Sequence, residues 1–167
     1  MERLTAWGRA VLLAGVMLGA GGCAYFALDR VAVGNSMNEV RQAAGAPSSE
    51  IRLADGSSVW FYTFLPTGTA TYRVRFDAAG KVVDSRQVLS RENFARQIRV
   101  GSTTTQQVAD EFGPPSGVET FKNLSQVVWT YRSMSGTFVY ITNIHFSSRT
   151  GVVDAYETYR DRNRDFT

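Results

Sequence analysis

The spacing of hydrophobic residues changes twice along the chain, in the same order each time. Met37, Val40 and Ala44 form one apolar stripe at helical spacing, and Val108, Ala109 and Phe112 form another. Beyond each stripe the period falls to two, which predicts strands. Ile51–Ala54, Asp55-Gly56 and Ser58–Phe64 read as strand, tight turn, strand. Ala70, Tyr72, Val74 and Phe76 then alternate with Thr71, Arg73 and Arg75, giving a third strand with one apolar and one basic face. Further on, Phe138, Tyr140, Thr142, Ile144 and Phe146 alternate with Val139, Ile141, Asn143 and His145, a less polar second face. A turn at Gly80 or Gly151 leads into a fourth strand, Lys81–Val88 or Val152–Thr158.

Each helix carries start and stop signals. Ser36-Met37-Asn38-Glu39 and Thr104-Thr105-Gln106-Gln107 fit the capping box, in which a hydroxyl and a longer side chain satisfy backbone N–H groups reciprocally. Gly45 and Gly113 suit left-handed C-terminal caps, and Pro47 and Pro115 prevent continuation. The stretch Val100 to Pro115 is therefore a helix with its punctuation. It lacks the glycines and lysine of a phosphate-binding loop.

The two halves are copies. Val33-Gly34 recurs as Val100-Gly101, Gly45-Ala46-Pro47 as Gly113-Pro114-Pro115, Trp60-Phe61-Tyr62 as Trp129-Thr130-Tyr131, and Val82-Val83-Asp84 as Val152-Val153-Asp154. The matching glycines, valines (Val40 and Val108), tryptophans and tyrosines mark the repeat. Ser90–Arg99 reads as a joining helix with Phe94 and Ile98 inward. The expected fold is α+β: two tandem repeats, each a short helix or helix pair on an antiparallel sheet of three to four strands. The divisions are 1–22, 23–88 and 89–167, the last ending in a polar tail from Tyr159 to Asp165 expected to fray.

Residues 1–22 stand apart from this pattern. Arg3 and Arg9 precede the apolar run Ala10–Ala20, which is too short for a ~30 Å hydrocarbon core and reads as an export signal. It ends at Cys23, the single cysteine of the chain, so no intrachain disulfide can form. The site resembles the lipobox of bacterial lipoproteins, with Ala20 where leucine is preferred; that likeness implies that Cys23 takes lipid. Ala24, where an aspartate would favour inner-membrane retention, implies an anchor on the periplasmic face of the outer membrane. Several acyl chains together hold a protein firmly to a bilayer. Composition is that of a folded domain, 44% hydrophobic and 20% charged. Without Glu2, Arg3 and Arg9 the chain keeps 16 basic and 14 acidic residues, a net of +2 from the +3 of the whole, too little to point to nucleic acid.

The order of motifs resembles the SmpA/OmlA-domain family of outer-membrane lipoproteins: Val-Gly, capped helix, Gly-x-Pro, Trp-x-Tyr strand, and a Phe-Asp-x-x-Gly-x-Val hairpin at Phe76 to Val82. The resemblance runs twice through the chain, whereas the family carries one such domain. It implies a non-enzymatic protein-binding role in β-barrel protein assembly or envelope integrity, with assembly-machinery subunits as partners and no cofactor. In architecture the chain also resembles the secreted β-lactamase inhibitor proteins, which implies an alternative: an inhibitor or ligand-binding protein using the groove between the repeats.

Little points to catalysis. His145 is the only histidine, on a strand face, and no His/Cys/carboxylate spacing suggests a metal site. Asp84 and Asp154 read as equivalent repeat positions, which favours a shared structural bond over an acid/base pair. Trp60, Tyr62, Trp129 and Tyr131 keep one strand parity and read as core. Arg73, Arg75, Arg96 and Arg99 are the candidate interaction surface, with Arg73 and Arg75 placed on an outward face able to meet anionic headgroups.

Overall fold

A computed structural model describes residues 27–64 and 68–162. Cys23 and the export signal lie outside the described residues, as do residues 163–167. The elements run α1 (Met37–Ala44), β1 (Ser49–Arg52), β2 (Ser58–Thr63), β3 (Thr71–Phe76), β4 (Val82–Gln87), α2 (Arg91–Gln97), α3 (Thr105–Phe112), β5 (Gly117–Phe121), β6 (Gln126–Ser135), β7 (Phe138–Ser147) and β8 (Val153–Arg160). A 3₁₀ turn, Lys122–Leu124, joins β5 to β6. The strands form two four-stranded antiparallel meanders, β1-β2-β3-β4 and β5-β6-β7-β8. The fold is α+β with a tandem repeat.

Both capping boxes form. Ser36 and Thr104 accept from the N–H groups of Glu39 and Gln107, whose side chains accept in return from the cap backbone. Hydrogen bonding to Ser36, first through its side chain and then its backbone, lowers the Glu39 carboxyl below its ordinary value. The first helical N–H of each helix is tied to the hairpin turn beyond β3 or β7, Met37 to Gly80 O and Thr105 to Gly151 O. The helix ends differ from expectation. Gly45 and Gly113 have φ 80° and 75° with ψ −163° and −164°, which is not the left-handed helical region but an extended one open almost only to glycine. There the chain turns away from the helix and runs directly toward the first strand of its sheet.

The Trp-x-Tyr motif closes each helix onto its sheet. The Tyr62 hydroxyl donates to Gly45 O at 3.2 Å and the Tyr131 hydroxyl to Gly113 O at 2.9 Å. Burial raises both phenols, Tyr62 to about 12 and Tyr131 further. A tyrosine raised in the folded state keeps its proton at pH values where the unfolded chain has begun to lose it. Stability is therefore expected to hold through neutral pH and to fall as pH rises from about 10 toward 12. Urea midpoints measured across that window test this; Tyr131→Phe should flatten the decline, and an unchanged slope would refute the assignment.

Each repeat has its own core. In the first, Trp60, Tyr62, Val74, Phe76 and Val82 bury against Val40 and Ala44 of α1 and against Leu28. In the second, Tyr131, Ile144, Phe146 and Val153 bury against Phe94 of α2, Ile98 at its C-terminal cap, and Val108 and Phe112 of α3. Trp60 is fully buried, whereas Trp129 is only partly covered. Several strand boundaries shift by one or two residues. β1 begins at Ser49, two residues before the expected start, and β8 reaches Arg160. The expected frayed tail thus begins as strand, and the next residue, Asp161, donates its N–H to Val139 O.

Register corrects one repeat match. Val82 exchanges backbone bonds with Gly34 and Asn35, and Val153 does so with Gly101 and Thr103. Val82 pairs with Phe76 and Val153 with Phe146, so these two valines are the equivalents. The β7–β8 turn holds one extra residue, Asp84 corresponds to Ala155, and Asp84 and Asp154 are not a repeated pair. Arg75 and His145 do correspond, each immediately before the register shift of its hairpin.

Candidate functional site: the cleft between the repeats

Helix α3 lies between the two sheets, and α2 packs in the second core beside it. One side of α3 buries Val108 and Phe112 in the second core; its other side meets the face of the first sheet that α1 leaves free. On that face Val59, Phe61, Thr71 and Arg73 are all buried, Phe61 completely. This overturns the outward placement of Arg73, which is only 7% exposed. Around Arg73 this face of the first sheet is an internal surface, covered by the second repeat, while Arg75 on the same face stays exposed.

The contact is polar at its centre. Arg73 Nη1 donates to Glu111 Oε2 of α3, and Arg73 Nη2 to Asp84 Oδ2 at 3.2 Å. Glu111 Oε1 also accepts from Arg86 Nη2 at 3.0 Å and from Asn93 Nδ2 of α2 at 2.9 Å. Asn93, itself buried, holds Val88 O with the same nitrogen at 3.0 Å. One carboxylate therefore joins β3, β4, α2 and α3. Beside it Gly113 lies against the ring of Phe61, so close that a Cβ there would stand 2.8 Å from Cδ1.

Next to this joint the two repeats diverge and leave a cleft of about 560 Å³. One wall is β3 with Arg73 and Arg75 and the β1–β2 turn with Leu53; the other is α3 and the α2–α3 connection, with Arg99, Ser102 and Thr103. Three of the four candidate arginines thus converge on one cleft. Arg73 is locked into its inner wall, and Arg75 and Arg99 are exposed. Arg96 is exposed on α2 and does not line it. Glu111 and Asn93, which set the cleft's geometry, carry no repeat signature: position 111 corresponds to Ala43 in the first copy.

The remaining candidates have structural places. Gly34 and Gly101 sit at positive φ in the turns entering the capped helices, with open space around them. Pro47 and Pro115 follow the helix ends, and Val40 and Val108 are core. His145 is half-buried on the outer face of the second sheet, the counterpart of the covered face of the first. There Thr130 donates to Asn143 Oδ1 at 3.0 Å, and Asn143 reaches Glu157 Oε1 at 3.4 Å. Among the described residues no group of three or more His, Cys, Asp or Glu could hold a metal, and no helix is long and apolar enough to cross a membrane.

No protein-family model matches the chain, and no curated protein matches it. Two solved structures align with it over most of their length. A DUF4309 family protein from Bacillus subtilis is 13% identical, with a TM-score of 0.31, over 83% of this chain and 93% of that one. A candidate β-lactamase inhibitor protein from Streptococcus mutans is 12% identical, with a TM-score of 0.30, over 84% of this chain and 98% of that one.

Proposed function

We propose that the chain is a non-enzymatic binding module of the bacterial envelope, anchored through lipid at Cys23 to the periplasmic face of the outer membrane, and that it seats part of a protein partner in the cleft between its repeats. The observation that supports this reading is the joint at Glu111. It fixes both walls of an open cleft without filling it, and a preformed concave site avoids the ordering cost that weakens binding by mobile surfaces. The order of motifs that resembles the SmpA/OmlA domain supplies the partner class, subunits or clients of outer-membrane β-barrel assembly.

A photoreactive residue at Ser102, which lines the cleft, is expected to capture assembly-machinery subunits from intact envelopes, and one at Val118, exposed on β5, is not. Capture of an unrelated soluble enzyme from Ser102 would replace that partner class with an inhibited enzyme. Equal adducts from both positions would remove the cleft from the function. Cys23→Ala is expected to release the protein into the soluble periplasmic fraction; an unchanged membrane fraction would end the lipoprotein reading.

A further inference from the structure

We propose that the cleft recognises a carboxylate, held between Arg75 of the first repeat and Arg99 of the second; this deepens, and rests on, the reading of the cleft as the partner's seat. The reasoning is a comparison of charges. Arg73, Arg86, Asp84 and Glu111 neutralise one another at the inner end: every carboxylate oxygen contact there is answered by an arginine or by Asn93. What remains along the open part is Arg75, Arg99 and Asp110. Asp110 accepts from Gln106 at 2.8 Å along its own helix. Arg75 makes no hydrogen bond or ion pair among the described residues; the Asp55 carboxyl of the β1–β2 turn feels its charge only weakly, behind its own bonds to Ser57.

Arg99 is held but not neutralised. Its Nη1 donates to Ala95 O and Ile98 O at 3.0 Å each, so the end of α2 orients the guanidinium while no carboxylate meets it among the described residues. Two cations from two repeats, Arg99 held in place and Arg75 unpaired among the described residues, thus flank one cleft, and an arginine's planar fork favours carboxylate in two-point contact. Leu53, half-buried, supplies apolar lining, and Val108 and Phe112 border the cleft while lying almost wholly in the second core. The volume, about 560 Å³, suits a short peptide segment or a compact organic acid rather than one side chain. The ligand is accordingly an anion with an apolar body, acidic side chains beside an aliphatic one being the simplest case.

Titration of the full acylated protein in detergent with three probes tests this: a blocked pentapeptide with two glutamates flanking a leucine, its glutamine counterpart, and free glutarate. The glutamate peptide is expected to bind roughly tenfold more tightly than the glutamine peptide, and Arg75→Gln and Arg99→Gln each to weaken it about tenfold, with thermal melting unchanged in Arg75→Gln, which breaks no hydrogen bond among the described residues. Competition by glutarate at equal strength would assign the carboxylate to a small acid; failure of glutarate to compete would assign it to a protein segment. No binding of the glutamate peptide, or equal binding of both peptides, overturns the carboxylate. If both peptides bind equally and Ser102→Trp displaces both, the cleft stands as a seat for another chemistry. If Ser102→Trp displaces neither and the Ser102 crosslink is empty, the seat itself is wrong.

Discussion

Glu111→Ala is expected to lose about 3 kcal/mol of stability in urea unfolding, the lower end of the range for removing one partner of a buried ion pair. The effect comes from what is left behind. Arg73 keeps its charge at 8% side-chain exposure with Asp84 alone to answer it, and Asn93 loses one of its two acceptors. Arg86, with a side chain 42% exposed, can turn to water and softens the loss. Replacing both partners, Arg73→Met with Glu111→Leu, should recover most of the stability, because an apolar pair removes the desolvation cost along with the attraction. A single-variant loss below about 1 kcal/mol, the scale of a surface pair, would show that the joint is solvated in solution.

The second large effect is expected at Gly113, with Gly45 as its internal control. Both glycines sit in the same backbone region, so alanine at either adds strain of about 1–3 kcal/mol. Only Gly113 adds a collision: its Cβ would lie 2.8 and 2.9 Å from Phe61 Cδ1 and Cγ, while nothing lies within 4 Å of the Cβ position at Gly45. The Phe61 ring is completely buried and cannot swing into solvent, so overpacking adds roughly 1–3 kcal/mol more. Gly113→Ala should therefore be the worse of the two in thermal or urea unfolding, and Phe61→Leu should repair part of Gly113→Ala but none of Gly45→Ala. Equal losses would mean that the repeats do not press together at this point.

Most of the fold was legible because it is written in short-range signals. Capping residues, terminating glycines and a change of hydrophobic period act within a few residues, and duplication repeats each signal. What escaped depends on contacts between copies. Arg73 looked outward because it alternates with apolar residues, and a one-sided sheet places such residues in water. The opposing sign was nearby: Val59–Tyr62 is apolar without interruption, the mark of a strand covered on both faces, while Trp129-Thr130-Tyr131 alternates. Phe61 against Thr130 was enough to say which sheet is covered twice. Glu111 gave no such sign, since an exposed glutamate on a short helix is ordinary and only the folded chain brings it to Arg73. The candidate cleft was half visible, its arginines evident in sequence and their convergence not.

The Thr130–Asn143–Glu157 ladder on the outer face of the second sheet bears on how long this assembly can grow. The contact between repeats is heterologous, helix of one against sheet of the next, and such a contact does not close on itself; repeated, it builds an open fibre. In the second copy the two residues that receive a neighbour are replaced, Phe61 by Thr130 and Arg73 by Asn143, and the ladder ties Thr130 and Asn143 to each other and to Glu157. At the other end, Ala43 stands where a propagating unit would need Glu111. Each copy thus lacks the residues with which the other makes this contact, so the contact seen between the first sheet and α3 has no counterpart on the outer face of the second sheet or on α1, as at the polar outer faces of capping repeats.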